Sequence, residues 1–271
     1  MHRTTSGYAN LFRLDGRRIV VVGGAGGIGR ESVRALAAHG ADVIVADRDE
    51  AGAVETVRLA RQEPPAPGSR TGTAVPYPLD VLDDDAVLRA AADWDAPDGL
   101  VVTVGANVRK RIADYSLDEF DRVIALNLRA HLSLMKAVAP AMAARGSGSV
   151  VGFASMRAFT VEAGQSVYAA AKAGLVQLLR TAADEWGPQG VRFNAIAPGV
   201  VRTPLTDQIA DDPRWYDAYA QASALRRWAG ADEIAGAVAY LVSDASTFVT
   251  GSVLTVDGGW TAVDGRFDPS V

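Results

Sequence analysis

The chain has 271 residues, 49% of them apolar and 22% charged, with a formal net charge of −5 and no cysteine. That composition supplies a core for one large domain, while the missing cysteines exclude disulfides, thiolate catalysis and cysteine-ligated metal, and the absence of a basic run argues against a nucleic-acid surface. The opening stretch MHRTTSGYANLF lacks an apolar core of signal-peptide type, no apolar run reaches membrane-span length, and the histidines (His2, His39, His131) show no metal-ligand spacing, so a cytoplasmic protein with neither membrane nor metal partner is expected.

Strand-like and helix-like segments alternate along the chain. RRIVVVGG (17–24) is a β-branched run, and GIGRESVRALAAHGA (27–41) has helical spacing and closes on Gly40. DVIVAD (42–47) reads as a second strand, followed by a polar helix over 49–62 and a Pro/Gly loop over 63–72. TAVPYPLDV (73–81) is a third strand despite its prolines, and DGLVVTVG (98–105) a fourth. One long helix is expected over 117–144, then a fifth strand in GSVVGFAS (148–155) and an alanine-rich helix running to about Trp186. VRFNAIAP (191–198) is a sixth strand, 203–228 is irregular or helical, 231–243 is a helix, and SVLTVDGG (252–259) is the last strand. The alternation predicts an α/β fold: a single domain over 1–271, with 1–10 and 263–271 as terminal extensions, built on a doubly wound parallel sheet of about seven strands with helices on both faces. Ligands of such sheets bind at the carboxyl ends of the strands.

The segment VVVGGAGGIGR joins the first strand to the first helix. Gly24, Gly26 and Gly29 match G-x-G-x-x-G, and Gly23, Gly27 and Gly29 match G-x-x-x-G-x-G. Residues without a Cβ let a pyrophosphate approach the backbone at the positive end of a helix. Asp47 ends the second strand 18 residues after Gly29, where an acid accepts from ribose hydroxyls and repels a 2′-phosphate, so NAD is favoured over NADP. Arg48, next in line, is either a receiver of that phosphate or a solvated surface residue, and Asp47 favours the second reading.

In SVYAAAKAG (166–174), Tyr168 and Lys172 stand one helical turn apart on the same face, and Ser155 lies 13 residues before Tyr168 at the end of the fifth strand. A phenol of pKa about 10 is a poor base at neutral pH. An ammonium about 4–5 Å away, at an effective dielectric near 20, favours the phenolate by roughly 3–4 kcal/mol. That amounts to about 2–3 pKa units, so Lys172 is expected to draw Tyr168 towards neutrality.

Together GGAGGIG, Asp47, LDV (79–81), ALNL (125–128), Ser155, YAAAK (168–172), APGVVRT (197–203) and TGSVLTVDGG (250–259) make the chain resemble the short-chain dehydrogenase/reductase family, in its compact single-domain, Rossmann-type branch, over roughly residues 11–262. The resemblance implies hydride transfer between a nicotinamide cofactor and a secondary alcohol or ketone. It implies that Tyr168 exchanges the proton, that Ser155 hydrogen-bonds the reacting oxygen, that Lys172 also binds the nicotinamide ribose, and that Asn127 holds a water in a relay to Lys172. It assigns Gly23, Gly27, Ile28, Gly29, Asp47 and Gly105 to the cofactor, with Asp80 and Val81 at the adenine and Pro198, Gly199, Val201 and Thr203 at the nicotinamide amide. Read without it, Asp80 is a helix N-cap, Pro198–Gly199 a turn and Asn127 structural. It also implies a homo-oligomer, a dimer or tetramer formed through the 117–144 and Tyr168 helices.

Two departures stand out. The family has N-N-A-G after the fourth strand, where this chain has Val102, Thr103, Val104 and Gly105, and its threonine at the head of the glycine turn is Val22 here. Loss of both partners of a hydrogen bond is expected to be nearly neutral, or to alter cofactor affinity. For the small-molecule substrate, Arg109 and Arg157 fall on the cofactor rim and point to a polyol, sugar or sugar acid, with surface ion pairing as the other reading. Trp215 and Trp228 fall in the segment expected to cover the site. Reduction of a ketone in fatty-acyl, polyketide or aromatic metabolism, and a catalytically silent dinucleotide-binding regulator, are the alternatives. An extended-branch epimerase is set aside because this chain ends soon after the last strand.

Overall fold

In the computed structural model, which describes residues 7–263, β-branched runs form a seven-stranded sheet: β1 (Arg18–Val22), β2 (Asp42–Asp47), β3 (Thr73–Pro78), β4 (Gly99–Val102), β5 (Gly148–Phe153), β6 (Val191–Pro198) and β7 (Val253–Val256). Most of the two expected terminal extensions, and His2, lie outside the described residues. All pairings are parallel, in the order β3-β2-β1-β4-β5-β6-β7.

Ile19, Val20, Val21 and Val22 are all fully buried, as expected of a parallel strand covered on both faces. The two-residue period sends Val20 and Val22 to one core and Ile19 and Val21 to the other. On the first face lie α3 (Asp84–Trp94), α5 (Ala130–Arg145) and α6 (Ser166–Trp186), through Val87, Leu134 and Leu175. On the second lie α1 (Gly27–Ala38), α2 (Glu50–Ala60) and α9 (Asp232–Val242), through Leu36, Val57 and Val238. β3 is an edge strand, which is where Pro76 and Pro78 are tolerated.

The helix expected over 117–144 is not continuous. It comprises α4 (Leu117–Ile124), a π turn over Ala125–Arg129, and α5. A capping box of Ser116 and Glu119 starts α4, and Gly146, at φ 79°, ends α5. At the π turn the Asn127 amide donates to the Val123 carbonyl at 2.8 Å, taking up a main-chain acceptor of the preceding turn. Such turns widen a helix by one residue and recur at functional sites. Segment 203–228 contains two short helices, α7 (Asp207–Ala210) and α8 (Pro213–Ala222), over the carboxyl ends of the strands.

Candidate active site

Strand order reverses at β1, whose neighbours are β2 and β4, and the glycine turn sits at that point. Gly23 and Gly27 have φ of 88° and 51°, a region that disfavours side chains. A Cβ on Gly29 would lie 2.0 Å from the Gly23 carbonyl oxygen, so this position takes glycine for packing alone. Gly26 is different: a Cβ there meets nothing within 4 Å, leaving the backbone before α1 open to a ligand.

The departures at Val22 and Val102–Gly105 prove not to be a loss of polar contact. The Thr103 hydroxyl donates to the carbonyls of both Val22 and Gly23, each at 3.0 Å, and the Thr103 amide donates to Val22 at 2.8 Å. A single threonine on β4's end thus ties down the head of the turn, so mutual apolar replacement is not what the chain uses.

Asp47 ends β2 with its carboxylate accepting from the amides of Ala25 and Asp49, both at 3.0 Å. This fixes the acid against the glycine turn, with Arg48 exposed beside it. The Leu79 amide donates to the Asp47 carbonyl at 2.9 Å, which brings the end of β3 alongside. There Val81 is buried, and exposed Asp80 accepts from the Leu82 amide at 2.9 Å; the N-cap of α3 is Asp83, not Asp80.

A cavity of about 260 Å³ opens at the carboxyl ends of the central strands. Its walls include Gly23, Gly27, Ile28 and Gly29 from the turn, and Ser155, Tyr168 and Lys172 from β5's end and α6. Pro198, Gly199, Val201 and Thr203 close one side and Gly105, Arg109 and Arg157 another. Asp47, Asp80, Val81 and Asn127 stand outside this wall. Asn127 lies directly behind it: a Cβ on Gly105 would be 3.0 Å from Asn127 Oδ1 and 3.6 Å from Lys172 Nζ. Its amide also donates to the Ala106 carbonyl at 2.7 Å.

Lys172 Nζ donates to the Phe153 carbonyl at 2.7 Å, pinning α6 to β5. Burial draws the Lys172 ammonium down to about 7. The Tyr168 phenol moves in the direction opposite to the one its spacing from Lys172 predicted. Burial raises it above its ordinary value, and the Ser155 hydroxyl and the Arg109 and Arg157 charges offset this only in part. Burial thus outweighs the groups that would lower the phenol, and Lys172, itself drawn down to about 7, is not one of them. His131, buried behind β5 on α5, is pulled down to about 3 by burial and the nearby Lys172, and so is neutral.

The two arginines meet on a residue that the sequence did not single out. Glu162 pairs with Arg109 at 3.3 Å and with Arg157, and it accepts from Tyr219 Oη at 2.5 Å and Gln165 Nε2 at 2.6 Å. Arg109 also lies under the Trp215 ring and Arg157 under that of Trp260. Trp228 does not line the cavity; it stacks on Tyr216 with ring centroids 5.1 Å apart. A lone acid in the loop FTVEAGQ carries no spacing signal, so the sequence by itself does not mark Glu162. Among the described residues no cluster of His, Cys, Asp and Glu fits a metal, and no helix is long and apolar enough to cross a membrane.

Residues 23–261 match a family model described as enoyl-(acyl carrier protein) reductase. The chain is 33% identical over 258 residues to a gluconate 5-dehydrogenase of Gluconobacter oxydans, covering 94% of this chain and 98% of the relative. It is 36% identical over 260 residues to a galactitol 2-dehydrogenase (L-tagatose-forming) of Cereibacter sphaeroides, covering 94% and 98%. Among solved structures, a gluconate 5-dehydrogenase from Burkholderia cenocepacia in complex with NADP and tartrate superimposes with a TM-score of 0.86, at 31% identity, covering 94% of this chain and 98% of that one.

Proposed function

This chain belongs to the short-chain dehydrogenase/reductase family of nicotinamide-dependent oxidoreductases, and we propose that it interconverts a secondary alcohol and a ketone on a polyol, sugar or sugar acid, using NAD in preference to NADP. The observation that carries this reading is the convergence of Ser155, Tyr168 and Lys172 on one cavity whose floor is the glycine turn at the start of α1.

The residues fit a dinucleotide. The open backbone at Gly26 and the N-terminus of α1 suit a pyrophosphate, and Asp47 suits the adenosine ribose. When bound, the nicotinamide supplies the hydride acceptor or donor. The chain's own groups handle the proton. Ser155 Oγ, already fixed by accepting from the Arg157 amide at 3.1 Å, orients the substrate oxygen. Tyr168, held protonated by burial, is set to deliver its proton to a ketone oxygen. In the oxidative direction it must first give that proton up. Lys172, with its value near 7, is assigned to the relay that takes it up, and Asn127, whose buried Oδ1 faces the same spot as Lys172 Nζ, is assigned the water that links the relay onward. Thr203, within 3.4 Å of where a Gly27 Cβ would stand, and the Pro198–Val201 segment are assigned to the nicotinamide amide.

Substrate class rests on the polar wall of Asn107, Arg109, Arg157, Gln165 and Tyr219 beside the Ser155–Tyr168 pair, together with the substrates named for the relatives. NAD preference rests on the Asp47 carboxylate, which repels a 2′-phosphate; the related Burkholderia enzyme holds NADP, so both cofactors belong in the test. The assay follows reduced-nicotinamide absorbance with NAD and NADP against hexitols, aldonates and 3-hydroxyacyl thioesters. Turnover of hexitols or aldonates, with the higher kcat/KM on NAD, is expected. Turnover of thioesters alone would overturn the substrate class, and a higher kcat/KM on NADP would overturn the role given to Asp47.

A further inference from the structure

The arginine pair that would grip a substrate carboxylate is already closed on one. Arg109 and Arg157 share Glu162, whose other acceptor sites are taken by Tyr219 and Gln165. A carboxylate only accepts, so it fixes the direction of every hydrogen bond that reaches it. Gln165, itself buried, turns its Nε2 towards Glu162 and therefore its Oε1 towards Asn107. Asn107 must then donate, and its Nδ2 meets Gln165 Oε1 at 3.0 Å. The relay leaves Asn107 Oδ1 as a buried acceptor with no hydrogen-bond partner among the described residues. Two residues along, Arg109 Nε is a buried donor in the same condition. Both side chains line the cavity that holds Ser155 and Tyr168.

From these relationships we propose that Glu162, acting through Gln165 on Asn107, makes the site select a neutral polyhydroxy substrate over a sugar acid, with a substrate hydroxyl near the reacting carbon donating to Asn107 Oδ1 and accepting from Arg109 Nε. This rests on the polyol, sugar or sugar-acid reading given under Proposed function and narrows it. A hydroxyl donates and accepts at once and so satisfies both atoms. A substrate carboxylate satisfies the arginine but only accepts, so it leaves the asparagine oxygen unpaired and sets two acceptors against each other. Trp215 and Tyr219 of α8 pack over Arg109, so contact of a substrate with Arg109 Nε requires these side chains to be displaced.

The test measures kcat/KM for a hexitol, the aldonate of the same carbon number and a secondary alcohol with no other hydroxyl, on the full-length enzyme and on Glu162→Gln and Asn107→Leu, with thermal melts of each. The wild-type enzyme should favour the hexitol over the aldonate by about tenfold or more. Glu162→Gln frees the amide relay to reverse and leaves both guanidinium charges without their carboxylate, so the ratio should move at least about tenfold towards the aldonate. Asn107→Leu should lower the ratio of hexitol to simple alcohol by about tenfold. A wild-type preference for the aldonate overturns the inference alone, and that result needs no variant to fold. Equal losses on all three substrates in both variants would reduce the network to a structural role and also overturn it. Absence of turnover on hexitol and aldonate alike, with turnover of a 3-hydroxyacyl thioester, overturns the reading it rests on as well.

Discussion

Lys172 Nζ lies 5.7 Å from the centre of the Tyr168 ring while its proton is directed to the Phe153 carbonyl. The pair therefore shares one helix face without a direct bond between ammonium and phenol oxygen. Tyr168 at rest is a neutral phenol, raised by burial, and its acidity in turnover depends on charges that arrive with cofactor and on the state of Lys172. Tyr168→Phe keeps the ring packing against Val123 and Val167 and removes only the hydroxyl. Turnover should fall by about 10²–10⁴-fold while reduced-nicotinamide binding persists. Steady-state rates and a fluorescence titration check both halves; retained turnover would assign the proton to another group.

The buried lysine also makes stability depend on pH. Its value falls from 10.5 to about 7 in the folded chain, so between those limits the unfolded chain holds a proton that the folded one lacks. Stability from this group therefore rises with pH from about 7 to about 10 and is lowest where the folded chain must carry the buried charge. Tyr168 acts in the other sense only above about 10, where the unfolded phenol ionises first. The melting temperature of the cofactor-free protein should climb across that window, and Lys172→Met should flatten the climb and raise the value at neutral pH by on the order of 5 °C. A wild-type melting temperature that is flat over the window would show that Lys172 keeps its proton.

What could be read from the sequence was local. The glycine turn, Asp47 and the Ser155–Tyr168–Lys172 set announce themselves by spacing, because each works through backbone geometry over a few residues. The β-branched runs located the strands for the same reason. What was missed depends on chain segments meeting in space. Thr103 replaces a lost contact by reaching across to β1, and Glu162 gains its meaning only from arginines 53 and 5 residues away. The π turn at Ala125–Arg129 breaks a helix whose apolar periodicity runs on without interruption, since the Asn127 amide bonds that accompany it leave no trace in hydropathy. The direction of the Tyr168 shift likewise follows from burial, which one helix turn does not reveal.

Two glycines three residues apart should separate folding from cofactor binding. Gly26 has an extended backbone, with φ −162°, and open space where a Cβ would stand. Gly26→Ala should leave stability within about 0.5 kcal/mol of wild type. It should weaken reduced-nicotinamide binding by tenfold or more, about 1.4 kcal/mol, because the added methyl occupies the approach to the backbone. Gly29→Ala puts its methyl 2.0 Å from the Gly23 oxygen and 2.8 Å from Thr103 Oγ1, so the fold itself should lose about 3 kcal/mol. Denaturant midpoints and binding titrations on both proteins decide; equal loss of stability in the two would mean that no ligand surface exists at Gly26.

The last expectation concerns assembly. α4 and α5 leave Leu117, Phe120 and Leu132 exposed at 80%, 42% and 41%, although the sheet face beneath α5 is already filled by Leu134, Val138 and Met142, and Val123 of α4 packs on Val167 and Tyr168 of α6. Large apolar side chains left in water on successive helices are candidates for an interface. α6, which packs against α4 and α5, carries Tyr168 and Lys172, so pairing through these helices would brace the catalytic face from behind. Sedimentation at micromolar concentration should show a dimer or tetramer. Introducing charge through Phe120→Glu and Leu132→Glu together should shift the population to a smaller species, because each carboxylate would have to be buried unpaired. The smaller species should also lose activity if the bracing matters. A wild-type monomer, or a double variant with unchanged mass, would place these side chains on a free surface and remove the argument for pairing through α4, α5 and α6.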